Sequence, residues 1–346
     1  MKSKLLTASL IAVPALVALK PIADSVYFQP EDGSSASKEY TITASFSLGD
    51  FSAMVDGQDM SEMIPAEFDL SAEMAMSVTD QYVSTLDGRM TELIRTFDAL
   101  SMIWEGPEGS GEDEDMDELE GKSVRFAWNE DDEEYEKSFH ECEGDEDALD
   151  NLAPEMDLQA LLPDGDVSEG DTWSVESSSL GSLVIFGTDT SDLDMSKIGD
   201  GDEIEQLMAS EINPQLQALM DSFEADCEYM GTREVDGMVL GVIAVRLAGE
   251  GDIDLSGLIS SLAESQIPPE VEVSLTIDEA VVTVLMEGEG ELLWDVGSGL
   301  FHTYDMTAEI EIMADVALSA EAQGQGADIE GSAEILGDMT WAARRN

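Results

Sequence analysis

Between Phe68 and Val78 every second residue is apolar: Phe68, Leu70, Ala72, Met74, Met76 and Val78. The intervening positions carry Asp69, Ser71, Glu73 and Ser77, with Ala75 the one exception. A period of two sends alternate side chains to opposite faces of a strand, so this run has one dry face and one wet face. That pattern belongs to antiparallel sheets packed on one side only. It recurs in Tyr40, Ile42, Ala44, Phe46 and Leu48, and again in Phe51, Ala53 and Val55. It returns in Val271, Val273, Leu275 and Ile277, and in Ile310, Ile312, Ala314, Val316 and Leu318 with Glu309, Glu311 and Asp315 opposite. Val239 to Leu247 and Val281 to Met286 are nearly continuous apolar runs, as in strands covered on both faces. The expected fold is mainly β, a β-rich α+β protein. It has long antiparallel strands in a bent sheet or half-barrel and a few short helices.

Turn chemistry separates these runs. Gly49-Asp50, Asp87-Gly88, Val235-Asp236-Gly237, Gly297-Ser298-Gly299 and the Gly324/Gly326 pair are read as turns. Residues 105–120 are a solvated acidic loop, and Val124 to Phe139 a hairpin with an acidic tip. Met90, Leu93, Ile94 and Phe97 fit helical spacing, but the Thr-rich context favours a strand, and Arg89 to Asp98 is read as one. Leu158 to Leu162 reads as one helical turn, and Leu183 to Phe186 as a short buried strand. Ile204, Leu207, Met208 and Ile212 share a helical face, as do Leu216, Leu219, Met220 and Phe223. Pro214 between the stripes implies two short helices meeting at Asn213, read as an N-cap. Leu255 to Leu262 is a further small helix, ended by Pro268-Pro269.

The joint of the chain is Leu161 to Glu176, LLPDGDVSEGDTWSVE. Two turn signals, Pro163-Asp164-Gly165 and Glu169-Gly170-Asp171, precede Trp173 and Val175, where a strand restarts with Trp173 as a core anchor. The expected organisation is a signal peptide over 1–25, a mobile leader over 26–39 and a first β-rich region over 40–160. The joint and helical patch follow over 161–222, and a second β-rich region over 223–346 is either separate from the first or continuous with it.

The run LPDGDVSEGDTW resembles the "LP…V..GD.W" block of uncharacterised secreted bacterial proteins with a β-rich body. RMTELIRTFD (Arg89 to Asp98) and EGKSVRFAW (Glu120 to Trp128) resemble other blocks of that group. The resemblance touches about half the chain and implies architecture and compartment, with no activity or ligand attached. The strand pattern is also similar to lipoprotein-carrier half-barrels, a likeness of pattern alone.

Charge narrows the partners. The chain carries 78 Asp+Glu against 14 Lys+Arg, a formal net charge of −64. Nucleic-acid backbones are excluded as partners on these grounds, and anionic membrane surfaces are disfavoured. Cations are the natural counterpart, and solubility in a salty medium explains the same charge. A hydrophobic content of 43% suffices for a core. Lys2 and Lys4, the apolar run Leu5 to Leu19 and small residues near Ala23 and Ser25 form the three regions of a secretory signal. The protein is therefore expected in the periplasm or outside the cell, with no transmembrane span. In that compartment Cys142 and Cys227 either form a disulfide or remain two free thiols. A bridge would tie the two β regions together and contribute roughly 4–5 kcal/mol.

Catalytic motifs are missing: there is no G-x-S-x-G, H-E-x-x-H or P-loop. His140 and His302 could serve as general bases, but nothing in the sequence pairs either with a nucleophile, so both read as structural or exposed. The metal candidate is DLDMSKIGDGDE, with Asp192, Asp194, Asp200, Asp202 and Glu203 as oxygen ligands in an EF-hand-like order. Lys197 stands where that loop needs Gly, and Gly199 where it needs an apolar residue. The segment therefore reads as an acidic lead into a helix, with a looser extracellular Ca²⁺ site as the alternative. No cofactor is expected, Ca²⁺ apart. The 19 methionines read as adaptable core packing or as a plastic lining for an apolar ligand. The leading expectation is an exported, acidic, non-enzymatic protein that binds a lipid or other apolar ligand. The alternatives are an extracellular Ca²⁺-dependent structural or adhesion module, and a hydrolase with an unrecognised site.

Overall fold

The computed structural model describes residues 25–61, 68–86, 88–107, 109–112, 118–175, 177–180, 186–187, 212–266, 273–322 and 325–346. Its strands are β1 (Ser35–Val55), β2 (Gln58–Asp59), β3 (Asp69–Leu86), β4 (Arg89–Gly106), β5 (Gly109–Glu112), β6 (Ser123–Asn129), β7 (Glu134–Phe139) and β8 (Thr172–Val175). Helix α1 (Asn213–Asp221) leads into β9 (Glu224–Val235) and β10 (Met238–Asp254). Helix α2 (Ser256–Gln266) precedes β11 (Val273–Asp295), β12 (Leu300–Ala322) and β13 (Gln325–Arg345).

All the strands join one open antiparallel sheet in the order β7-β6-β4-β3-β1-β13-β12-β11-β10-β9-β8, with β2 and β5 paired beside β1 and β4. The two β-rich regions are thus halves of one sheet, joined where β1 pairs β13 from Lys38↔Arg345 to Val55↔Ile329. The period-two runs become its rows. On the inner face one row crosses nine strands: Met102, Met74, Ile42, Trp341, Met306, Gly290, Val245, Cys227 and Trp173. Gly290 makes room in that row, since a Cβ there would stand 2.9 Å from the Met306 side chain.

Several expectations need correction. Residues 26–39 are not a mobile leader. Val26 and Phe28 are buried in the core, Gln29 N–H donates to Gly299 O at 3.1 Å, and β1 already begins at Ser35. Val26 fills the space above Gly241, and Phe28 lies edge-on to Tyr82 with ring centroids 6.0 Å apart. Val26, Phe28 and Pro30 alternate inward and dock a segment that is otherwise mostly polar. Gly49-Asp50 is a β-bulge rather than a turn: the ladder steps from Leu48↔Ile335 to Phe51↔Ala333 and the strand continues. Within residues 105–120, Gly109–Glu112 pairs with the end of β4 instead of remaining a loop. Asn213 is the first helical residue, and Ile212 occupies the cap position without a side-chain bond. Residues 181–185, most of the expected Leu183 to Phe186 strand, and the helical stripe from Ile204 to Met208 lie outside the described residues.

Other expectations hold. Arg89 to Asp98 lies in β4, β6 and β7 form the acidic-tipped hairpin, and Gln159–Leu161 is a 3₁₀ turn. The Val235↔Met238 hairpin has Asp236 at φ 52° and Gly237 at φ 83°, the left-handed pair a two-residue turn demands.

Candidate functional site

Residues 140–171 leave β7 and return to β8 by way of the inner face of β1, β3 and β4. This strap inserts Met156, Leu158, Leu161 and Val167 into the core, and Leu180 and Phe186 join the core beyond β8. Beneath it lies a cluster of charge. Among the described residues Lys38, Asp80, Arg95 and Asp157 are the buried charged ones, and none has accessible side-chain surface.

The backbone register explains how they meet. Lys38 is in phase with Tyr40 and Ile42 on β1, Asp80 with Val78 and Tyr82 on β3, and Arg95 with Leu93 on β4. Asp80 faces Ala36 of β1 and Arg95 of β4. Lys38 Nζ stands 2.7 Å from Asp80 Oδ2 and 2.7 Å from Asp157 Oδ1. Arg95 donates Nε to Asp80 Oδ1 at 2.7 Å and Nη2 to Asp80 Oδ2 at 2.9 Å. The remaining guanidinium donors reach the strap backbone, Nη1 to Ala153 O at 3.0 Å and Nη2 to Pro154 O at 2.9 Å. The Tyr82 hydroxyl is 2.9 Å from both oxygens of Asp157 and donates to that carboxylate, and Tyr40 donates to Met156 O at 2.6 Å.

Burial opposes the charge on Asp80, but the Arg95 and Lys38 cations overcome it and hold its carboxyl at about 2. Burial likewise works against Arg95, and Asp80 more than offsets it, so the guanidinium stays charged. Burial, then the Asp157 and Asp80 carboxylates, raise both tyrosines well above their usual range, so both act as neutral donors. Chemically the cluster joins chain to chain: its carboxylates, ammonium and guanidinium are spent on one another and on strap carbonyls. The same cluster went unread in the sequence. Its signal was available, because Lys38, Asp80 and Arg95 all occupy the inward phase of otherwise apolar alternations.

The outer face is different. One row there runs Glu105, Ser71, Ser45, Asp338, Glu309, Glu287, Ala248 and Glu224, crossing eight strands. Its carboxylates are exposed, and Asp338, Glu309 and Glu287 are direct neighbours on adjacent strands. A shallow groove of about 860 Å³ lies over this row.

The sequence-derived candidates fall elsewhere. Asp192, Asp194, Asp200, Asp202 and Glu203 lie outside the described residues. Among the described residues no three His, Cys, Asp or Glu side chains converge as a metal site would require. Cys142 and Cys227 are not bridged: Cys142 is exposed after β7, and Cys227 is buried on the inner face of β9. The register that aims Cys227 into the Trp173 row holds it apart from the exposed loop that carries Cys142. His140 donates its backbone N–H to Ser123 O at 2.7 Å. His302 sits at a bulge of β12, between the pairs Trp294↔Phe301 and Leu293↔Thr303. Neither histidine belongs to the buried cluster. No helix among the described residues is long and apolar enough to cross a membrane.

No protein-family model and no curated protein matches the chain. Solved structures give distant likenesses. A putative AttH from Nitrosomonas europaea is 7% identical, with 86% of this chain and 92% of that chain covered and a TM-score of 0.14. A triple mutant of Rhodopseudomonas blastica porin is 8% identical, with 90% and 100% covered and a TM-score of 0.14. A chain described under "Asymmetric conductivity of engineered proteins" is 9% identical over 90% and 100%, also at 0.14.

Proposed function

We propose that the protein is exported and non-enzymatic, and that it holds an apolar ligand of acyl-chain character against the inner face of its open sheet. The observation that carries this reading is a change of burial along the inner rows. Near the strap Tyr40, Trp341 and Tyr304 are sealed. Farther along β1 and β12, and on the neighbouring β3 and β11, Phe46, Ile312, Met74 and Val284 remain apolar but are only half-buried by described residues. Helix α1 covers the β10 end of these rows, where Phe223 and Leu219 lie against Gly249 and Gly251. The end over β3, β1 and β12 keeps an apolar lining without equivalent cover from the described residues, and such a face favours an apolar occupant.

Native mass spectrometry of residues 26–346, purified without detergent from an exported preparation, tests this. A discrete added mass that dissociates as a lipid supports it, and a bare polypeptide mass overturns it. The row Asp338, Glu309 and Glu287 favours a second reading, a cation-organised structural or adhesion module, because like charges directly opposite one another destabilise a sheet until counter-ions gather. That reading requires Ca²⁺ to raise Tm beyond what matched ionic strength achieves.

A further inference from the structure

We propose that Ala153–Asp157 is a proton-dependent latch that holds the strap over the inner face when Glu155 is protonated and loosens as Glu155 ionises. Five side chains from three adjacent strands, Lys38, Tyr40, Asp80, Tyr82 and Arg95, build the sheet side of this latch. Four of the five strap residues they face are gripped directly: the carbonyls of Ala153, Pro154 and Met156 and the carboxylate of Asp157. The next residue, Leu158, is held at φ 60°, a left-handed conformation that an L residue rarely adopts. The strap is therefore pinned at many points along a short, conformationally unfavourable stretch.

Its charge count is unbalanced. Asp80, Asp157 and Glu155 bring three carboxyl groups to the two cations Lys38 and Arg95. Both cations are already engaged, Lys38 by Asp80 and Asp157 and Arg95 by Asp80. Glu155 is half-buried and accepts a backbone bond from Gln159 N at 3.1 Å. The groups that act on it are Asp157 on the strap, Lys38 and Tyr40 on β1, and Tyr135 on β7 beside Arg89, while Asp80, Tyr82 and Arg95 reach it only through Lys38 and Asp157. Burial, then the Asp157 charge, push the Glu155 carboxyl from its ordinary 4.5 up to about 7. With Glu155 protonated the cluster is neutral; ionised, it carries one uncompensated negative charge under the strap. Because the closed state holds the proton more tightly than the open one, opening rises with pH between about 4.5 and 7 and levels off above. The latch governs access to the apolar face described above, but it can be tested without any ligand.

The test is hydrogen–deuterium exchange of the full chain at pH 5 and pH 7.5, corrected for intrinsic exchange rates, in the wild type and in Glu155→Gln. The expected result is a tens-fold increase in opening of residues 150–161 at the higher pH, with β1 and β3 amides unchanged. Glu155→Gln, which keeps the neutral form, should remove that dependence. The inference is overturned if wild-type strap exchange is the same at both pH values, if Glu155→Gln retains the dependence, or if β1 and β3 open in parallel with the strap. Nile red binding at the two pH values separates the two readings: a strap that opens with pH while dye uptake stays absent upholds the latch and removes the apolar-ligand function.

Discussion

Lys38 and Asp157 stand 2.7 Å apart, one on the first strand and one on the strap that crosses it, and neither side chain has accessible surface. An ion pair of this kind is costly to form, and removing one member leaves the other charged and buried. Asp157→Ala should therefore destabilise the protein by about 3–5 kcal/mol. Tyr82→Phe, which removes one donor to the same carboxylate, should cost about 1–2 kcal/mol. Urea titrations followed by tryptophan fluorescence measure both. Equal effects from the two variants would mean that Lys38 does not dominate the site.

Acid should act on the same cluster through Asp80. Its folded carboxyl is held at about 2, below the ordinary 3.8. The stabilisation from its ion pairs is fully present above pH 3.8 and is lost as pH falls from there through 2. Acid unfolding should steepen in that window, and Asp80→Asn should flatten it while lowering stability at neutral pH.

Gly249 lets Phe223, just beyond α1, pack on β10. A Cβ at that position would stand 1.6 Å from Phe223 Cδ1, so Gly249→Ala must displace the ring. The expected cost is about 1–3 kcal/mol, as for an overpacked core. In a double-mutant cycle Phe223→Ala should relieve part of it, and strict additivity would show that the two residues do not meet.

The thiols should differ. Burial, then the Asp226 carboxylate, push the Cys227 thiol up to about 12, while Cys142 is exposed. At pH 8 a thiol reagent should modify one cysteine in the native protein and two after unfolding. Two modified sites in the native state, or none in the unfolded state without reductant, would contradict the free-thiol assignment.

Exposed carboxylates facing one another across Glu287, Glu309 and Asp338 should make stability depend on salt. Glu309→Lys should raise stability by about 0.2–1 kcal/mol at low ionic strength, and the gain should shrink in molar salt. Thermal melts across a salt series would detect it.

The alternation from Phe68 to Val78 and from Ile310 to Leu318 determined the strands, because side-chain period is a property of neighbouring residues alone. Turn positions such as Asp236-Gly237 were legible for the same reason, since left-handed φ values favour particular residues locally. Gly49-Asp50 reads as a turn in the sequence because a turn and a bulge use the same residue types, and only the β13 partner separates them. Closure of the two β-rich halves into one sheet was also out of reach, because β1 and β13 lie at opposite ends of the chain. Which few charges are buried was likewise a tertiary outcome. Lys38, Asp80 and Arg95 stand in the inward phase of apolar alternations, but Asp157 carries no such mark, and the four meet only when β1, β3 and β4 align and the strap removes water from between them. Charges become a cluster only when distance and dielectric change together, and both are set by the folded chain.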